Sequence, residues 1–246
     1  SVWSHSLYHS SGGSYNTTLG SYSLYQLHVG NYNTAVGYST GSTPPPNFTS
    51  NGWRCEKVTL LGALAGSQLS SDDYTYTSNN VTLIGYNAQA STNVGPSNEI
   101  TLGDGNIAAL RCAVTSITSL SDIRDKADIT QLPIGLDFIN SLNPVTYRWD
   151  KREWYENGER DGSKKQDKVQ AGFIAQELQE SQAKFGAEYL NLVYDSNPNK
   201  LEATPGNLLF VLVNAVKELS SELDAVKAEL TALKASKKRS TKAGAI

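Results

Sequence analysis

Short alternations of β-branched and polar residues recur through the first half of the chain. "VTLLGALA" covers Val58 to Ala65, "VTLIGYNA" covers Val81 to Ala88, and "ITLGDGNI" covers Ile100 to Ile107. Looser copies, "TTLGSYSL" and "NTAVGYST", surround Gly20 and Gly37. Each predicts a strand of about four residues. The glycine after it allows a tight corner. One such unit cannot bury a core, but stacked coils of a solenoid can, as can three chains wrapped around one axis. The spacing is uneven, 23 residues from Gly62 to Gly85 and 18 from Gly85 to Gly103, so insertions must loop out between coils. Ser42 to Trp53, with three consecutive prolines, is one such insertion, because a proline run cannot join a sheet interior.

After about residue 120 the periodicity changes. Leu132 to Leu142 has helical spacing, with Pro133 suited to a first turn. Pro144 to Asp150 alternates as a strand, and Lys151 to Lys168 reads as a charged loop or hairpin tip. Val169 to Phe185 begins as a strand and turns helical, and Tyr189 to Asp195 reads as another strand. Thr204 is placed to cap a last helix with Pro205 in its first turn. In that helix, about 205–235, Leu209, Leu212, Val216, Leu219, Leu223, Val226, Leu230 and Leu233 step alternately by three and four. This narrow seam is the pattern of a coiled coil, and it asks for an identical partner helix.

Charge sharpens the division. Of 21 Lys and Arg and 24 Asp and Glu, only eight precede Ser121: Arg54, Glu56, Lys57, Asp72, Asp73, Glu99, Asp104 and Arg111. The expected domains are therefore a β-repeat stem over 1–120 and a mixed domain over 121–246. Low charge and very short strands favour an elongated, intertwined trimeric β-solenoid or prism over a single-chain β-sandwich. The overall charge of −3 gives no reason to expect a nucleic acid partner. No apolar run is long enough for a membrane span, and no signal peptide is legible. A chain beginning with Ser rather than Met is expected to be part of a longer protein. Cys55 and Cys112 form no metal or disulfide pattern and are expected to be ordinary thiols. His5 and His9 have a metal spacing only on a helix, which their surroundings do not favour, so neither metal nor cofactor is expected. Trp3, Tyr8, Tyr15, Tyr22, Tyr25, Tyr32, Tyr38, Trp53, Tyr74, Tyr76 and Tyr86 crowd the stem. They suit strand packing, and they are candidates for stacking on a host-surface sugar.

The stretch "SLSDIRDKADI", Ser119 to Ile129, sets Ser121 five residues before Lys126. On its own it reads as a solvated charged turn. Together with three later segments it resembles the intramolecular chaperone auto-processing domain that ends phage tail fibres, tailspikes and neck appendages. "SDIRDKADI" is similar to that family's S-D-x-R-x-K-x-x-I signature. "LNPVTYRWD" is similar to its N-P-x-x-Y-x-W strand through Asn143, Pro144, Tyr147 and Trp149. "AGFIAQEL" matches through Gly172, Ile174, Ala175, Gln176 and Glu177, and the long last helix follows in order. The stem repeats resemble those of phage fibres and of trimeric autotransporter adhesin heads.

The resemblance implies an α+β domain that trimerises, guides folding of the fibre and then cuts itself off in a Ser/Lys reaction. Carried over, Ser121 is the nucleophile, Lys126 the base and Leu120–Ser121 the scissile bond. Asp122 and Arg124 are supporting residues. Serine needs a base within hydrogen-bond reach. Lysine can serve only when neutral; lowering its usual pKa of about 10.4 to near 7 costs roughly 4–5 kcal/mol, through burial or nearby positive charge. Arg124 could hold Lys126 neutral or stabilise an oxyanion, and the carboxylates of Asp122 and Asp125 should then point at Arg124 or at backbone N–H groups. Attack on the Leu120 carbonyl closes a five-membered ring, and attack by a neighbouring chain's serine is also open. The implied setting is a virion fibre or appendage, assembled in the host cytoplasm, with the chaperone domain released after cleavage. The competing readings are a receptor-binding fibre tip whose trimerisation domain stays attached, and a glycan-cleaving tailspike. The last would need two facing carboxylates from the few acidic residues before Ser121.

Overall fold

The computed structural model describes residues 4–42, 53–69, 77–114 and 116–243, with the side chains of Trp53 and of residues 236–243 excepted. The proline insertion, Trp3, Asp72, Asp73, Tyr74 and Tyr76 lie outside the described residues, as does the side chain of Trp53. The chain divides into two compact units, Ser1–Ser119 and Leu120–Ile246. No described helix is long and apolar enough to cross a membrane.

The first unit is a curled parallel sheet. Its strands are β1 (Thr17–Leu19), β2 (Leu27–Asn31), β3 (Thr34–Val36), β4 (Trp53–Glu56), β5 (Thr59–Leu61), β6 (Thr77–Ile84) and β7 (Ser97–Leu102). The five predicted repeats stack in one ladder, β1–β3–β5–β6–β7. Thr17 faces Thr34, Thr34 faces Thr59, Thr59 faces Thr82 and Thr82 faces Ile100. A second column runs β2–β4 and joins the first half of β6. All of these pairings lie within one chain.

Two kinds of corner shape each coil. Gly20, Gly37, Gly62, Gly85 and Gly103 follow the ladder strands with positive φ. A Cβ on Gly62 would sit 2.5 Å from the Gly85 carbonyl oxygen, so the coils can close only with glycine there. The other corner stands two residues before Thr17, Thr34, Thr59, Thr82 and Ile100 of the ladder, inside the strand in β6 and β7. Tyr15, Tyr32, Lys57, Asn80 and Asn98 all take left-handed φ near 60°. Asparagine tolerates this conformation; tyrosine and lysine accept strain that the stack must offset. Between the corners, Leu24, Leu27, Val58, Leu60, Val81 and Leu83 are fully or almost fully buried in a shared core, each contributing about 1.5–3 kcal/mol. Asn33 is buried with them. Its amide donates to Asn16 Oδ1 (2.9 Å) and to the Cys55 carbonyl (3.0 Å), and its Oδ1 accepts from the Val58 N–H (3.0 Å). Burial raises the Cys55 thiol pKa, and the nearby Glu56 carboxylate adds to the effect. Cys55 and Cys112 are both free thiols.

The second unit is built from α1 (Leu136–Asn140), β8 (Val145–Arg148), β9 (Val169–Gly172), α2 (Ala175–Phe185), β10 (Val193–Tyr194), β11 (Glu202–Ala203) and α3 (Leu209–Ala243). β8 and β9 form an antiparallel pair around the charged 151–168 connection, and β10 pairs with β11. Phe138, Leu178, Leu190, Leu192, Leu208 and Val211 make the core. The buried Gln182 accepts from the Leu192 N–H at 2.8 Å. α2 stops at Gly186, whose left-handed φ of 61° closes the helix end.

Three sequence expectations are corrected here. The helix expected over 132–142 is only Leu136–Asn140, and Pro133 precedes it. The strand expected from Tyr189 shrinks to Val193–Tyr194, because Glu188–Leu190 forms a 3-10 turn that buries Leu190. Thr204 does not cap the last helix. Its hydroxyl donates to the Asn191 carbonyl, and a 3-10 turn, Pro205–Leu208, leads into α3.

Candidate functional site

Ser121 and Lys126 flank a single 3-10 turn, Ile123–Asp125. Asp122 forms the cap of that turn: its Oδ1 accepts the Arg124 N–H at 2.9 Å. The same carboxylate accepts Arg124 Nε at 3.0 Å and Nη2 at 2.6 Å, a two-pronged ion pair. The turn closes with the Lys126 N–H donating to the Ile123 carbonyl at 3.2 Å. The chain thereby doubles back, and Lys126 Nζ donates to Ser121 Oγ at 2.5 Å. A spacing of five would leave these side chains on opposite sides of an extended strand; the tight turn brings them together.

The Asp122 carboxyl is held below the usual carboxylate range, first by the Arg124 side chain and then by the Arg124 backbone N–H. The same pairing raises Arg124. The guanidinium expected to act on Lys126 is therefore engaged with Asp122. All described residues of 105–131 are exposed, and the Leu120 side chain reaches 101% of full exposure.

The other motifs also meet in space. Val145 faces Gly172 across the β8–β9 pair. A Cβ on Gly172 would come within 3.2 Å of the Tyr147 ring, so glycine leaves room for the tyrosine. Asn143 Nδ2 donates to Glu177 Oε2 at 3.1 Å. Tyr147 and Trp149 meet edge to face, 5.2 Å apart, and Lys151 lies over Trp149.

Sequence reasoning missed a clamp on α3. Asn214 Nδ2 donates to the carbonyls of Leu132 (2.8 Å) and Ile134 (3.1 Å). One turn later, Glu218 Oε2 accepts the Leu136 N–H at 2.6 Å. A four-residue polar pair beside the apolar seam was the available signal.

The remaining candidates of the stem lead to packing. His5 stacks on Tyr22 at 5.3 Å, and His9 meets Tyr25 edge to face at 4.8 Å. Glu99 accepts from the Ser91 N–H (2.9 Å) and hydroxyl (2.6 Å), and Asp104 accepts from Asn106.

No curated protein matches the chain, and no solved structure does. Residues 121–187 match the family model described as chaperone of endosialidase. The match begins at Ser121 and takes in the Ser/Lys turn, the β8–β9 pair and α2. Over residues 121–187, therefore, the chain carries the hallmarks of a chaperone-of-endosialidase domain, which supports an intramolecular chaperone domain of phage tail proteins there.

Proposed function

We propose that this chain is the C-terminal part of a virion-borne phage tail fibre or appendage, whose second unit gathers three copies and then cuts the Leu120–Ser121 bond. The observation that carries this reading is the 2.5 Å contact between Lys126 Nζ and Ser121 Oγ. It stands at the first residue of the family match. With Lys126 neutral, the same contact lets Nζ take the Ser121 hydroxyl proton as Oγ attacks the Leu120 carbonyl carbon. The C–N bond breaks, the proton passes to the departing Ser121 nitrogen, and an ester joins Leu120 to Ser121 Oγ. Water then hydrolyses the ester, giving a Leu120 carboxylate and a free Ser121 amine. Asp122 and Arg124 hold the turn that sets the two groups together.

Assembly is supported by α3. Beyond Ala215 every described side chain of this helix, through Ala235, is exposed. Helices in proteins draw most of their stability from packing of one apolar face, and the exposed seam of α3 from Leu212 to Leu233 fits identical neighbours. The base role of Lys126 calls for a water-poor site, which neighbouring copies would supply by covering the exposed turn. Cutting would then follow assembly. Release of the clamp would leave the fibre kinetically trapped in its folded form. The stem would meet a host-surface sugar or protein through exposed rings such as Tyr8, Tyr15 and Tyr86.

Intact mass and denaturing electrophoresis of the expressed chain test the reading. Fragments 1–120 and 121–246 are expected from the native sequence. Ser121→Ala and Lys126→Ala are expected to give an uncut chain that still assembles. Cleavage at the same bond in Ser121→Ala would remove the serine mechanism. An uncut native chain that assembles would favour a permanently attached trimerisation domain.

A further inference from the structure

The ladder strands of the stem carry aliphatic residues on both faces. Their middle residues, Ala35, Leu60 and Leu83, fill the core. Their last residues point outward, and Leu19, Leu61, Ile84 and Leu102 remain exposed there, with Val36 half-buried. The register stacks these five residues directly above one another. The neighbouring outward column is Thr17, Thr34, Thr59, Thr82 and Ile100. No charge interrupts either column over five coils. Arg54, Glu56 and Lys57 instead sit in the other strand column and at its corner. A sheet face meant for water alternates apolar-in with polar-out; this one keeps an aliphatic row outside.

We propose that this threonine/aliphatic face is where the stem packs against further copies of itself, parallel and in coil register. The inference rests on the three-copy reading above. Charge and symmetry select the occupant. An identical copy brings identical charges, so a face on a rotation axis must be neutral or it repels itself. Rotation about an axis parallel to the stack leaves the height of every coil unchanged. Leu61 therefore meets Leu61 and Ile84 meets Ile84, giving continuous aliphatic layers.

Size says how the face can work. Five coils at about 4.8 Å and three residues at about 3.3 Å make a patch of roughly 240 Å² per chain. A stable association needs about 800 Å² per partner. These coils would close on one another only after another element has gathered the chains, which is the task proposed for α3.

The test is disulfide trapping in the full-length chain carrying Ser121→Ala and Cys112→Ser. The second change removes the exposed native thiol, and buried Cys55 stays. Leu61→Cys and Ile84→Cys are made separately, with Ser97→Cys as the control, since Ser97 pairs with Asn79 and so continues the β2–β4 column. Mild oxidation followed by non-reducing denaturing electrophoresis reads the link, and light scattering reads the number of copies. Covalent dimers from most of the Leu61→Cys and Ile84→Cys protein, and none from Ser97→Cys, are expected. Three-copy particles that link through Ser97→Cys, or fail to link through Leu61→Cys and Ile84→Cys, overturn the assigned face and leave the three-copy reading intact. A single copy by light scattering removes the three-copy reading, and this inference with it.

Discussion

Replacing Leu219 and Leu223 together by Asp separates a surface change from an interface change. Both side chains belong to the part of α3 beyond Ala215 whose described side chains are all exposed, and they are 48% and 53% exposed. In a lone chain the double substitution should alter stability little, since exposed positions usually stay within about 0.5 kcal/mol. In a three-copy seam the exposed half of each leucine is removed from water. Full burial of a leucine contributes about 1.5–3 kcal/mol, so half contributes roughly 0.8–1.5 kcal/mol. Six leucines then give about 5–9 kcal/mol per trimer. Each buried, unpartnered carboxylate adds a penalty of several kcal/mol. At about 1.4 kcal/mol per tenfold, the association constant should fall by many orders of magnitude. Light scattering on the Ser121→Ala background reads assembly, circular dichroism reads the helix, and electrophoresis on the native background reads cutting. Loss of assembly, helix content and cleavage together is expected. A double variant that stays trimeric refutes the seam. A monomeric variant that is fully cut refutes the claim that assembly comes first.

Other consequences are open to direct measurement. Gly62→Ala forces a side chain onto φ 126° and against the Gly85 backbone, whereas Gly158→Ala, at φ 73°, meets nothing within 4 Å. The first should lower stem stability in a urea melt by at least about 1–3 kcal/mol, whereas the second, in the β8–β9 connection of the other unit, should leave the stem unchanged and cost that unit about 1 kcal/mol; an unchanged stem in Gly62→Ala would remove the close-stacking explanation. The Asp122 carboxyl is depressed by Arg124, so its contribution to the turn is complete above the ordinary Asp value of about 3.9 and is lost as pH falls through the lower folded value. A carbon NMR titration should therefore find its midpoint below about 3.9. Arg124→Ala should move that midpoint upward, and no movement would mean the ion pair is absent in solution. Residues 1–120 expressed alone should fail to form the soluble trimer that the same residues keep after release. Equal yield of that trimer on size exclusion would leave the chaperone without a task.

Local periodicity made much of this protein legible. The repeats announced their strands because alternation and a following glycine are properties of a few adjacent residues, and the register then aligned Gly20, Gly37, Gly62 and Gly85. The seam of α3 was legible for the same reason, as was the turn over Ser121 to Lys126, where Asp122 finds its partners two residues away. Features that depend on distant residues were hidden. Thr204 had the chemistry of a helix cap, but the Asn191 carbonyl, 13 residues earlier, competes for its hydroxyl. Leu132 to Leu142 had helical spacing along its whole length. Asn214, some 80 residues later, holds the carbonyls of Leu132 and Ile134 outside the helix, and Glu218 takes the first helical N–H. The left-handed corners at Tyr15, Tyr32 and Lys57 carried no glycine to mark them, and their strain is tolerable only because stacked neighbours fix the chain on both sides. The outward aliphatic row looked in sequence like any core position. Only the curl of the sheet decides which of two apolar faces is enclosed, because strand alternation gives two sides without saying which is inside.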